Sequence, residues 1–250
     1  KTDKLIQSIN SLGTSLFGLA VDDFGNVFVA NTDARNHVNG RAGTKKHGLK
    51  ELQNRPYLNR VTKVSSKGQT KFIHLNPLPP EQPRRRSAIA TPFGIKISGD
   101  NRTVFLTAAG SDQLLAIDAT SGKMLGRAKV GAVPRGIALE QDASGRAQTA
   151  WVLNAVANTV SKVDVSSPDS PKVQKTIPLI DPTPKIYKEG RRAFNTARAS
   201  SNGTFSCASC HADGHTDQLL WVLDTPHMVG DDQIEPRLSQ TLRGLRGTAP

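Results

Sequence analysis

Short apolar runs and short polar runs alternate along the first 180 residues or so. FGLAV (17–21) is followed by DDFG and then NVFVAN (26–31). FGIKI (93–97), SGDN and RTVFLTAA (102–109) repeat the pattern, as do RGIAL (135–139), QDASG and TAWVLNA (149–155). Runs of this length, rich in Val, Ile and Thr and separated by Asp, Asn and Gly, predict pairs of β-strands joined by tight turns. QLLAIDAT (113–120) with KMLGRAKV (123–130), and TVSKVDVS (159–166) with KVQKTIPL (172–179), continue the series. The 3.6-residue period of an amphipathic helix is absent from this part of the chain.

The strands recur as a unit. Pro92 returns as Pro134, 42 residues on, and an earlier unit runs from Phe17 to VTKVSSKGQTKFIHL (61–75), lengthened by an insert at 34–58. Four strands in about 40 residues make the blade of a β-propeller, with a β-sandwich as the alternative. DKLIQSINSLGTSLFGLAV (3–21) parallels GKMLGRAKVGAVPRGIAL (122–139), so the chain is expected to start inside the last strand of a preceding blade. About three blades are visible, whereas propellers close with roughly four to eight. The chain is therefore expected to be a piece of a longer protein, or the missing blades to come from another segment or another chain.

The pattern changes after Pro184. KEGRRAFNTARA (188–199) has small and apolar residues at helical spacing and a break at Ser200–Gly203, which predicts a helix opening a second domain. The expected architecture is thus a partial all-β propeller over 1–183, followed by a mainly α domain over 184–250.

Charge adds one element. Lys and Arg total 33 against 21 Asp and Glu, a net charge of +12. The insert contributes Arg35, Arg41, Lys45, Lys46, Lys50 and Arg55 against Glu51, and Arg84–Arg86 follow in a proline-rich connection. These read as a solvated loop or as a docking surface for an acidic partner. No aromatic residues interleave to stack bases, so nucleic acid is not an expected partner. No apolar run reaches transmembrane length.

The candidate chemistry lies in the only two cysteines. Cys207-Ala-Ser-Cys210-His211 is a C-x-x-C-H sequence, the attachment signature of c-type haem. Two thiols three positions apart can reach the two vinyl groups of one porphyrin, and the adjacent His211 then ligates the iron. Three other readings of the residues stay open. They are a thioredoxin-like pair, which lacks its βαβ setting, a local disulfide, and a zinc site from Cys207, Cys210, His211 and His215.

The flanking residues carry a resemblance. GRRAFN, NGTFSCASCHADGHTDQLLW and RLSQTLRGLRGTAP resemble haem-binding segments of the bacterial di-haem cytochrome c peroxidase and MauG-like group. More narrowly they resemble proteins in which YVTN-type propeller repeats precede such a domain. The resemblance covers about 188–250 for the haem segment and 3–180, on looser motifs, for the repeats. It implies that Cys207 and Cys210 form the thioethers and that His211 is the proximal ligand. It also implies one covalent haem c here and a second in sequence not present. The chain departs from the group in lacking a second C-x-x-C-H, and in lacking the aromatic, the His or Trp, and the Asp-Gly pair that follow the Arg-Gly-rich segment.

For the opposite face of the iron the candidates are His227 and Met228. Arg237, Arg243 and Arg246 are candidate partners for haem propionates, because a guanidinium binds carboxylates bidentately. Trp221 is a candidate cover for the haem edge, and Asp217 a candidate for fixing the loop behind His211. The expected function is electron transfer by an exported protein of the periplasm or cell surface, with a redox protein as partner. A peroxidase-like haem oxidoreductase and a propeller binding module with a structural haem are the alternatives.

Overall fold

The computed structural model describes residue 5 and residues 7–38, 48–222 and 237–244. The alternating segments form three antiparallel four-stranded meanders. The first sheet comprises β1 (Ser15–Val21), β2 (Val27–Ala34), β3 (Tyr57–Val64) and β4 (Thr70–His74), with the short helix α1 (Gly48–Glu51) between β2 and β3. The second comprises β5 (Pro92–Ile97), β6 (Thr103–Ala108), β7 (Gln113–Asp118) and β8 (Met124–Lys129). The third comprises β9 (Pro134–Gln141), β10 (Ala147–Asn154), β11 (Thr159–Asp164) and β12 (Lys172–Pro178). Within each sheet the strands lie in chain order.

The three sheets stack. Ala20, Phe28, Ala30, Val61 and Ile73 of the first sheet pack on Ile95, Val104, Leu106, Leu115 and Ile117 of the second. Phe105, Leu114 and Ala116 of the second pack on Ala150, Val152 and Val163 of the third. Because successive side chains of a strand point to opposite faces, a strand covered on both sides must be apolar throughout. β6 comes close, with all six of its residues buried and four of them apolar, while the Thr107 hydroxyl accepts from the Gly94 N–H. β12 is the counterexample at the free edge, with six of seven residues exposed.

The first strands β1, β5 and β9 are neighbours, and their close approach explains a repeated dipeptide. Phe17-Gly18, Phe93-Gly94 and Arg135-Gly136 occupy matching positions. A Cβ on Gly18 would lie 2.6 Å from the Phe93 carbonyl oxygen, and one on Gly94 would lie 2.1 Å from that of Arg135. No side chain fits either gap. Next to these glycines the Phe17 and Phe93 rings stack at 5.1 Å, and the Arg135 guanidinium lies 4.7 Å from the Phe93 ring centre.

The C-terminal part corrects an expectation. It is not a mainly α domain. Among the described residues beyond 184 there is one substantial helix, α2 (Lys185–Asn195), a four-residue turn of helix, α3 (Cys207–Cys210), and two 3-10 turns. A two-residue pair, β13 (Leu220–Trp221) and β14 (Arg237–Leu238), completes it. Between these elements, side chains satisfy the backbone locally. The Thr204 hydroxyl donates to Asn202, the Leu219 N–H donates to Asp217 Oδ1, and the Thr216 hydroxyl donates to the Ser239 carbonyl. Such bonds compete with helix hydrogen bonding, so a chain rich in Ser, Thr, Asn and Asp turns rather than coils. The helix also starts at Lys185, after Pro184, and stops at Asn195, where the Thr196 hydroxyl accepts from Arg198 N–H.

The basic insert is corrected too. Arg55 is 1% exposed, and its Nη1 donates to the Glu81 carbonyl. Arg35 donates to the Leu52 and Arg55 carbonyls and to Gln53. Burial holds Arg55 down at about 10, and the neighbouring Arg35 adds to the drop. Two arginines expected at the surface therefore hold the insert together and tie it to the connection at Glu81. Arg41, Lys45 and Lys46 lie outside the described residues.

Candidate haem-attachment site

α3 places both cysteines on one turn of helix, directly before His211. Ser206 N–H donates to Ser209 Oγ, and His211 N–H donates back to the Cys207 carbonyl, which closes the turn. Cys207 is exposed and Cys210 is half-buried, both as free thiols. Cys210 packs with Tyr57, Leu52, Ala34, Trp221, Phe205 and Leu219, a cluster shared by the first sheet and the C-terminal segment.

A carboxylate organises this cluster. Asp217 Oδ2 accepts from the Tyr57 hydroxyl and, at 2.9 Å, from Trp221 Nε1. The Tyr57 oxygen is also 3.5 Å from Cys210 Sγ, and Asp217 N–H donates to the Cys210 carbonyl at 2.8 Å. The Tyr57 and Trp221 rings are 5.3 Å apart. Burial pushes the Tyr57 hydroxyl far above its ordinary range, reinforced by Cys210 and Asp217. Burial also pushes the Cys210 thiol up to about 11, with Tyr57 opposing the rise and Asp217 and Cys207 adding to it. A thiol in such surroundings keeps its proton at neutral pH.

His211 is oriented by its own loop. Its Nδ1 is 3.2 Å from the His215 carbonyl oxygen. A carbonyl oxygen only accepts, so Nδ1 carries a proton, and in the neutral ring this leaves the lone pair on Nε2. That is the tautomer an iron takes, fixed by a backbone acceptor as metal-bound histidines generally are. The 3-10 turn over Ala212–Gly214, with Asp213 in the left-handed region at φ 52°, carries the chain from His211 to His215. His215 is tied elsewhere, with its Nδ1 3.2 Å from Thr241 Oγ1.

The residues expected from sequence separate into groups. Cys207, Cys210, His211, Asp217 and Trp221 are brought together. Arg237 pairs in register with Trp221 on the β13–β14 ladder, and its side chain is exposed. Arg243 stands exposed, and its Nε and Nη2 both donate to the Asp213 carbonyl, which clamps the loop behind His211. His227, Met228 and Arg246 lie outside the described residues. Two participants were not expected. Tyr57, one of two tyrosines, gives no signal beyond its rarity. Arg135 could have been noticed, because it replaces the phenylalanine of the repeat. Its Nη2 donates to Asp213 Oδ1 at 2.8 Å.

Two thiols and an adjacent imidazole are the residue types that a covalently attached haem would need. One exposed and one half-buried thiol directly precede an imidazole whose Nδ1 is bonded to the His215 carbonyl. Among the described residues no group of three or more His, Cys, Asp or Glu side chains is arranged to hold a metal ion by itself.

No protein-family model matches this chain, and no curated protein matches it. Solved structures resemble it only distantly. The hydrazine synthase of Kuenenia stuttgartiensis is 13% identical over 60% of this chain and 45% of its own, with a TM-score of 0.46. The periplasmic gluconolactonase of Pseudomonas aeruginosa is 14% identical over 71% of this chain and 46% of its own, with a TM-score of 0.45. A protein of Desulfotomaculum acetoxidans described as functionally unknown is 14% identical over 67% and 43%, with a TM-score of 0.41. The chain spans less than half the length of each.

Proposed function

We propose that this chain is an exported c-type haem protein that transfers electrons, with its three sheets serving as blades of a propeller-type scaffold. The observation that carries the reading is the state of His211. Within a C-x-x-C-H sequence, its Nδ1 is held by a backbone carbonyl and its Nε2 is left to ligate. Cys207 and Cys210 are the tethers for the two vinyl groups. A bound haem supplies a one-electron iron couple there.

The remaining roles belong to the chain itself. Asp217 holds Tyr57 and Trp221 in one buried cluster against Cys210, which keeps water from that side of the tether. Arg243 holds the His211 loop through the Asp213 carbonyl. The net charge of +12 favours an acidic redox partner, whose association is expected to slow with added salt. No described helix is long and apolar enough to cross a membrane. Export follows from the proposed chemistry, since thioether attachment of haem takes place outside the cytoplasm.

The test is expression of the protein with export and haem-attachment machinery, followed by intact mass and spectra of the reduced and oxidised forms. One covalent haem, lost on replacing Cys207 and Cys210 by Ala, is expected. A colourless protein of unmodified mass overturns the reading.

A further inference from the structure

The sheets carry phenylalanine, phenylalanine and arginine at one repeated position: Phe17, Phe93 and Arg135. The first two stack on each other, and the Arg135 guanidinium continues the column over the Phe93 ring, 4.7 Å from its centre. The departure falls in the sheet against which the His211 loop rests. There the Arg135 guanidinium does what a phenylalanine cannot, and donates to the Asp213 carboxylate at 2.8 Å.

We infer that Arg135 is a positioning residue that sets the orientation of the His211 ring from the third sheet, a role that rests on the proposed haem reading. The route is a short chain of contacts. Arg135 holds Asp213, and Asp213 sits in the middle of the 3-10 turn over Ala212–Gly214. That turn is closed by Gly214 N–H donating to the His211 carbonyl and by His215 N–H donating to the Ala212 carbonyl. It ends on the His215 carbonyl, the acceptor that fixes Nδ1 of His211. Asp213 is in the left-handed region, which a non-glycine residue occupies at a cost, so an outside contact on its side chain bears directly on the shape of the turn. Arg243 grips the same residue at its carbonyl, so Asp213 is held from two sides by two arginines.

The column makes a clean variant available. Arg135→Phe restores the residue that the first two sheets carry, so stacking on Phe93 is kept and only the tie to Asp213 is lost. The ion pair is partly exposed, with 32% of the Arg135 side chain and 60% of the Asp213 side chain accessible. Its loss is therefore expected to act locally.

Two readouts decide the matter. In the haem-free protein, amide exchange of residues 212–215 is expected to quicken about threefold to fivefold in Arg135→Phe, with the sheet amides unchanged. The nitrogen-15 signals of His211 are expected to lose the single protonated-Nδ1 form. In the haem-loaded protein the midpoint potential is expected to shift, and Arg135→Lys to restore part of it. Asp213→Asn, which tolerates the left-handed backbone, is expected to reproduce the effect from the other side of the pair. Unchanged loop exchange and an unchanged His211 tautomer in both variants overturn the inference. Wild-type protein that takes up no haem overturns the haem reading instead, while the exchange and tautomer measurements still decide the role of Arg135.

Discussion

The second sheet and the C-terminal segment are held in place by different physics. In the second sheet, β6 is buried along its whole length, and β7 along all but its last residue, between two neighbours of the same kind. Its position follows from apolar area, which is non-directional and large in sum. The C-terminal segment offers little such area, and α2 has no buried residue at all. Beyond the one cluster around Trp221 and Tyr57, it is held by individual polar ties to the sheets and their connections. Asn59 donates to the Thr204 carbonyl, Asn202 to the Asn54 carbonyl, Tyr57 to Asp217, and Arg135 to Asp213. Non-directional burial tolerates small displacements of a strand, whereas directional ties fix the angle of a loop. The candidate chemistry sits on the part fixed by angle.

The contrast can be broken most forcefully in the second sheet. Phe105 is fully buried against the third sheet. Phe105→Ala is expected to cost about 3–5 kcal/mol of unfolding free energy, read by denaturant titration, and to loosen all three sheets together. A loss confined to one sheet would show that the sheets are not one cooperative unit.

A smaller and local effect is expected at the junction. Asp217→Ala leaves the Tyr57 hydroxyl and the Trp221 N–H buried without their acceptor. The expected cost is about 1–3 kcal/mol, with Trp221 fluorescence moving and amide exchange in the second sheet left alone. An equal rise in exchange across the second sheet would mean that the segment and the sheets are not separable in this way.

The smallest effect is one of pH in the haem-free protein. The Cys210 thiol is raised from an ordinary 9.0 to about 11 in the folded chain. Below pH 9 the folded and unfolded chains both hold the proton and nothing changes. Between pH 9 and 11 the unfolded chain releases it first, so stability is expected to fall as pH rises, by an amount on the order of 1 kcal/mol. Tyr57, also raised, acts in the same direction. Cys210→Ala should flatten the part of this slope that belongs to the thiol. An unaltered slope in that variant would place the titration elsewhere.

Legibility follows the same division. FGIKI and RTVFLTAA announce β5 and β6 within a residue or two, because a strand buried on one or both faces writes its burial as a period of two or as an unbroken apolar run. The C-x-x-C-H spacing marked Cys207, Cys210 and His211 as one local unit, and the structure makes its first four residues a turn of helix. The helix expected over 188–199 is present but displaced, as Pro184 and Thr196 set its ends. The mainly α domain expected to follow is not there among the described residues. The segment's local polar side chains compete with helix hydrogen bonds, and no periodicity records the outcome. Arg35 and Arg55 misled in the opposite way. Charge reads as exposure, but both donate to backbone carbonyls that only the folded chain brings near, those of Leu52 and Arg55 for Arg35 and that of Glu81 for Arg55.

What the sequence determined by itself is therefore whatever has a period or a fixed spacing. It set the four-strand unit, its recurrence from Pro92 to Pro134, and two thiols and an imidazole within five residues. What only the tertiary structure decided is which distant groups meet those five residues. Tyr57 stands 153 positions before Cys210 and Arg135 stands 78 before Asp213, the residues they touch, and neither separation leaves a trace in local pattern. Sheet packing brings them there, because strands are ordered by apolar burial and carry their polar ends wherever the stack places them.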